Sequence, residues 1–134
     1  MDSSKLASAF LLVLGLAFFP YGLYCFVAPQ FLAGVAGLVG TTPTGVNEIR
    51  AMYGGLQAGL GLLLLAGWYD TRLRMAGLGT AAFVMSGLAL TRLIGLALGG
   101  DLSGYTIGAL IFEISSSVIA VPLLRQQLSI TPRF

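Results

Sequence analysis

The sequence predicts an all-α integral membrane protein, a four-helix bundle of antiparallel neighbours with both termini in the cytoplasm, built as a single domain from residues 1–134. Three observations carry that expectation. Hydrophobic residues make up 57% of the chain and charged residues only 9%, against about 25% charged in an average soluble domain. Four apolar runs, at approximately 6–28, 46–68, 75–98 and 105–124, are each long enough as helices to cross a hydrocarbon core of about 30 Å. Glycine occurs 19 times, above its usual ~7% share, as suits helices that must approach closely where no water drives them together.

The first run carries Pro20, and the fourth carries Pro122. Proline cannot donate to the carbonyl one turn earlier, here Leu16 and Val118, so both helices are expected to bend. Between the first and second runs, residues 29–36 read as a short interfacial helix opened by Pro29. The pair Thr42-Pro43 and the later Asn47 are alternative starts for the second helix. Residues 69–72 and 99–103 are charged or glycine-rich and mark the short loops that make sequential helices antiparallel.

Lys5, Arg72, Arg74, Arg125 and Arg133 gather at the N-terminus, the second loop and the C-terminus. The positive-inside rule therefore places those ends in the cytoplasm. Trp68, Tyr69 and Tyr105 fall where aromatic belts meet the interface. There is no histidine, and Cys25 is the only cysteine, so no internal disulfide and no Cys/His metal site can be built. Cys25 reads as helix packing, and no cofactor or metal is expected. A net charge of +2, scattered along the chain, gives no reason to expect nucleic acid as a partner.

Against this apolar background the polar residues stand out. Burying an ionisable group at membrane depth costs roughly 2.5 to 3.5 kcal/mol on insertion scales, so such groups pair, line cavities or serve function. Glu48, Arg50, Arg92 and Glu113 are the candidates. Counting about 1.5 Å per residue, Arg50, Arg92 and Glu113 all fall in the outer half of the bilayer, where Arg92 can pair with Glu113 and Arg50 and Glu48 can join them. Arg50, Tyr53 and Gln57 follow an i, i+3, i+7 pattern, and Glu113 and Ser116 share a face of the fourth helix. Together these seven residues outline an outward-opening polar pocket, with Phe18, Phe19, Tyr21, Tyr24 and Phe26 at similar depth.

Each residue also has a structural reading. Glu48 suits the first turn of a helix, where a carboxylate complements the dipole, and both arginines can reach headgroups. A plain structural salt bridge accounts for Glu113. For packing, Gly55 with Gly59, Gly95 with Gly99 and Gly104 with Gly108 form small-xxx-small pairs, the first extended by Ala51.

The segment Glu48-Ile49-Arg50-Ala51-Met52-Tyr53-Gly54-Gly55, followed by Leu90-Thr91-Arg92-Leu93 and Glu113, resembles a family of short, uncharacterised bacterial four-helix membrane proteins within the broader DoxX-like group. That resemblance spans most of the chain and implies a multi-pass protein of the bacterial inner membrane. It implies no activity.

With no nucleophile–base pair, metal set or nucleotide loop, the leading expectation is a noncatalytic accessory, structural or assembly subunit of a larger respiratory or photosynthetic membrane complex. Its partners would be membrane lipids and other integral membrane subunits. The alternative is a small lipophile-binding or quinone-binding protein that uses the outer pocket. A transporter fits least, because the polar residues stop in one half of the membrane.

Overall fold

The computed structural model describes residues 3–130, in which every regular element is helical. Arg133, counted above among the flanking cations, lies outside the described residues. Four helices are long and apolar enough to span a membrane: Ser3–Val27, Pro43–Tyr69, Arg74–Ala97 and Gly104–Ser129.

Helix α1 (Ser3–Val27) runs through Pro20 without a break. A tight turn then leads into the short α2 (Phe31–Ala36), which begins after Pro29 and not at it. Gly37 ends α2 in the left-handed conformation, φ 68°, and Leu38 N–H returns to the Leu32 carbonyl at 3.2 Å, a glycine C-cap. Leu32 is fully buried and pins the segment to the bundle.

Of the two candidate starts for the second span, the chain uses Thr42-Pro43. The Thr42 hydroxyl accepts the Gly45 N–H at 3.1 Å, and Pro43, whose missing N–H costs nothing in a first turn, opens α3 (Pro43–Ile49). The same span continues as a π-helical segment, Arg50–Leu56, and then as α4 (Gln57–Tyr69). Each π turn takes in an additional residue, so side chains three or four apart in this stretch do not stack as they would in an α-helix.

At the far end of α4, Asp70 turns extended and its Oδ1 accepts the Arg72 N–H at 2.9 Å, an Asx turn that redirects the chain into α5 (Arg74–Ala97). Gly99, at φ 103°, makes the next reversal possible, and Gly100 N–H bonds back to the Gly95 carbonyl at 3.0 Å. Ser103 then caps α6 (Gly104–Ile130), its hydroxyl accepting the Thr106 N–H at 3.2 Å. This helix runs past the expected end at 124, because Arg125, Gln126 and Gln127 are good helix formers and nothing there breaks it.

The helices associate as two pairs. α1 packs along α4 and the π segment, α5 packs along α6, and the α4–α5 contact joins the pairs, while α1 meets α5 and α6 sparingly. The core lies in the half that holds the chain ends: Leu11 and Leu14 of α1, Leu64 of α4, Leu78 and Met85 of α5, and Ala120 and Leu123 of α6. Toward the α2 end the two pairs diverge.

The glycines that bring helices together differ from those expected. A Cβ on Gly59, Gly95, Gly104 or Gly108 would meet nothing within 4 Å, and one on Gly55 would only graze the Arg50 carbonyl at 3.9 Å. Gly99 serves its turn. Instead, Gly22 lies against the backbone of Ala58, Gly61 against that of Phe19, and Gly54 against Phe26, whose Cα is 2.9 Å from where a Cβ would be. Gly15 and Gly22 on α1, and Gly54 and Gly61 opposite, are spaced by seven residues, the period of a helix seam held over several turns.

Candidate ligand-binding site

Between the two pairs, toward the α2 end, lies a half-open cavity of about 940 Å³. Its apolar wall comes from Phe18 of α1, Met85 and Leu88 of α5 and Phe112 of α6. Its polar wall comes from Tyr21, Tyr53, Gln57, Arg92, Tyr105 and Glu113. The C-terminal end of α2, residues 35–38, and Asp101 with Ser103 line it at the α2 end of the bundle.

Arg92 and Glu113 form the polar centre. Arg92 Nε donates to both carboxylate oxygens, at 3.2 and 3.1 Å, and Nη2 donates to Oε1 at 2.8 Å. The Glu113 side chain is 5% exposed and that of Arg92 26%, so the carboxylate is enclosed while the guanidinium keeps an open side. Its Nη1 stands outside this pairing, and its Cζ lies 5.9 Å from the centroid of the Tyr105 ring, a cation–π contact. Gln57 contributes a buried Oε1 that has no hydrogen-bond partner.

Of the seven residues named from sequence, Tyr53, Gln57, Arg92 and Glu113 meet around this cavity. The other three do not line it. Arg50 turns to α1, its Nε donating to the Phe26 carbonyl at 3.2 Å, and lines a separate cleft of about 200 Å³ with Pro29, Val39 and Ile49. The π segment is the physical reason. An α-helical count puts Arg50 in line with Tyr53 and Gln57, but the added residue per turn swings it toward the end of α1, where helix carbonyls lack partners. Glu48 is exposed on α3 and, among the described residues, makes no ion pair with either arginine. Ser116 is buried one turn beyond Glu113.

The aromatic group on α1 also divides. Phe18 and Tyr21 face the cavity, Phe19 packs on Gly61, Tyr24 stacks edge-on against Phe31 of α2 with ring centroids 5.0 Å apart, and Phe26 is exposed. Tyr105, assigned above to an interface belt, instead joins the polar wall. The signal was present: Tyr105, Ala109 and Glu113 recur every four residues along α6, as Met85, Leu88 and Arg92 follow i, i+3, i+7 on α5. Among the described residues no group of three or more His, Cys, Asp and Glu side chains could hold a metal ion.

Four membrane-length helices, with the Arg92–Glu113 ion pair joining two of them beside a cavity, define a multi-pass membrane protein. The chain belongs to the family described as a domain of unknown function (DUF4345), whose model matches residues 6–124. No curated protein and no solved structure matches it.

Proposed function

We propose that the protein binds a small amphipathic molecule within the membrane, a lipid or a quinone-like compound, seating its head against Arg92, Tyr53, Gln57 and Tyr105 and its apolar part against Phe18, Met85, Leu88 and Phe112. The observation that carries this reading is the cavity itself. At about 940 Å³ it is at the upper end of the roughly 300 to 1,000 Å³ usual for small-molecule sites, and it has their mixture of apolar walls and a few convergent polar groups. The Arg92 guanidinium keeps one side open, where a head group can meet it.

The test is retention. Protein extracted gently from its own membranes is stripped with organic solvent, and the extract is compared by mass spectrometry with that of Gly108→Phe. Gly108 lines the cavity and a Cβ there meets nothing within 4 Å, so the change adds a ring to the cavity wall from a position with open space at its base. A compound held in stoichiometric amount by the wild type and lost from the variant supports the reading; identical extracts overturn it.

A second reading, an accessory subunit of a larger membrane complex, draws on the small share of each span that the chain itself covers. Only 17% to 33% of the most apolar stretch of each span is buried, which leaves broad helix faces for lipid or for another subunit. Co-purification of larger subunits at fixed stoichiometry tests it. In either case we place the protein in the bacterial inner membrane with both termini cytoplasmic. The clustering of Lys5, Arg72, Arg74 and Arg125 at one end supports that orientation.

A further inference from the structure

The cavity's polar wall also bears on the kind of head it takes. This step rests on the amphiphile-binding reading and goes further by naming the charge and hydrogen-bonding character of the ligand.

Among the described lining residues Arg92 is the only cation, and Glu113 already neutralises it through three charge-assisted hydrogen bonds. Asp101 adds a further carboxylate at the α2 end of the cavity. An anionic head, a phosphate or a carboxylate, would therefore leave water for a wall with no unpaired positive charge. It would also face two negative groups. Beside the ion pair a cationic head would meet the Arg92 guanidinium, since the enclosed Glu113 carboxylate is already engaged, and the other carboxylate, Asp101, is exposed at the α2 end of the cavity, where water already solvates it. In the buried part of the cavity beside that ion pair, both signs of charge are disfavoured.

The buried lining atom left without a partner is a neutral one. Gln57 Oε1 is buried with no donor, and a rotation of its amide toward the cavity that Gln57 lines would bring it an O–H or N–H from the ligand. Arg92 Nη1, outside the ion pair, offers a donor to an oxygen of that same head, and the Tyr53 and Tyr105 hydroxyls can act either way. A head that both donates and accepts and has no net charge meets these demands together. We infer that the cavity selects an uncharged, hydroxyl-bearing amphiphile, such as a long-chain alcohol or a reduced quinone, over charged lipids, with Gln57 receiving the ligand's hydroxyl proton.

Three photoreactive probes with the same diazirine-bearing alkyl chain test this on the full-length protein in nanodiscs. One ends in a hydroxyl, one in a sulfonate that stays anionic, and one in a quaternary ammonium that stays cationic. Labelling is quantified by intact mass and located by peptide mapping.

The expected result is several-fold more labelling of cavity residues on α1, α5 and α6 by the alcohol than by either charged probe. Gln57→Leu should lower the alcohol signal toward that of the charged probes. Equal or stronger cavity labelling by the sulfonate or the ammonium probe overturns the selectivity while leaving the amphiphile reading standing. Alcohol labelling unchanged in Gln57→Leu overturns the role of Gln57. If no probe labels the cavity above the level seen in Gly108→Phe, the underlying reading falls as well.

Discussion

Arg92 grips Glu113 side-on, with Nε shared between the two carboxylate oxygens at 3.2 and 3.1 Å and Nη2 on Oε1 at 2.8 Å. The pair bridges α5 and α6 at the level where the bundle stops being a packed core and becomes a cavity. It therefore does two things with one set of bonds. It ties two helices together, and it neutralises the one guanidinium that the cavity's described lining contains.

Removing one partner should expose the structural part of that role. Arg92→Ala leaves Glu113 enclosed without a counter-charge, and stability should fall by about 3 to 5 kcal/mol. Replacing both residues, as Arg92→Met with Glu113→Leu, should recover most of the loss. Thermal or SDS-titrated unfolding of the single and double variants in one detergent measures both.

Arg50 should behave differently. Its bond to the Phe26 carbonyl lies at an exposed site, so Arg50→Ala should cost roughly 1 kcal/mol, and the material extracted with the protein should not change. Side-by-side unfolding and lipid extraction of Arg50→Ala and Arg92→Ala distinguish the two arginines.

The α1–α4 seam gives a third expectation. Gly22→Val and Gly61→Val push a side chain into the backbone of the facing helix and should destabilise by about 1 to 3 kcal/mol. Gly59→Ala and Gly95→Ala meet open space in helix interiors and should be neutral or stabilising by up to about 1 kcal/mol. The order of melting temperatures, with the two valine variants below wild type and the two alanine variants at or above it, is the readout.

Orientation can be read with single cysteines in a Cys25→Ala background. Thr71→Cys, in the loop after α4, should react with an impermeant thiol reagent only after the cytoplasmic face is opened. Leu102→Cys, in the loop before α6, should react in intact cells. The reverse pattern would invert the topology.

Much of the fold was legible because composition and run length decide it. Four apolar segments of membrane length can satisfy their backbone in lipid only as helices, and the short loops at Asp70 and Gly99 leave antiparallel order as the simple arrangement. The packing glycines were misread because a four-residue spacing was sought, whereas the α1–α4 seam repeats every seven. The cavity site was half legible. Arg92 and Glu113 stand out as charges in apolar helices, but the cavity exists because two helix pairs diverge, and no local pattern records what fails to touch. Tyr105 was assigned by depth alone, and its position on the Glu113 face of α6 was overlooked.

The π-helical stretch at Arg50–Leu56 lets the second span hold one residue more than an ordinary α-helix would between the same two ends. Excising a single residue there, for instance Gly55, would let the span relax to an ordinary α-helix, and the roughly 100° of turn lost with the residue offsets the unwinding it relieves, so α3 keeps its facing relative to α4. Only residues inside the stretch would shift, Tyr53 of the cavity wall among them. For this protein a one-residue deletion is thus absorbed at one place in a membrane helix, whereas the same deletion in α4 would turn one end of the span against the other.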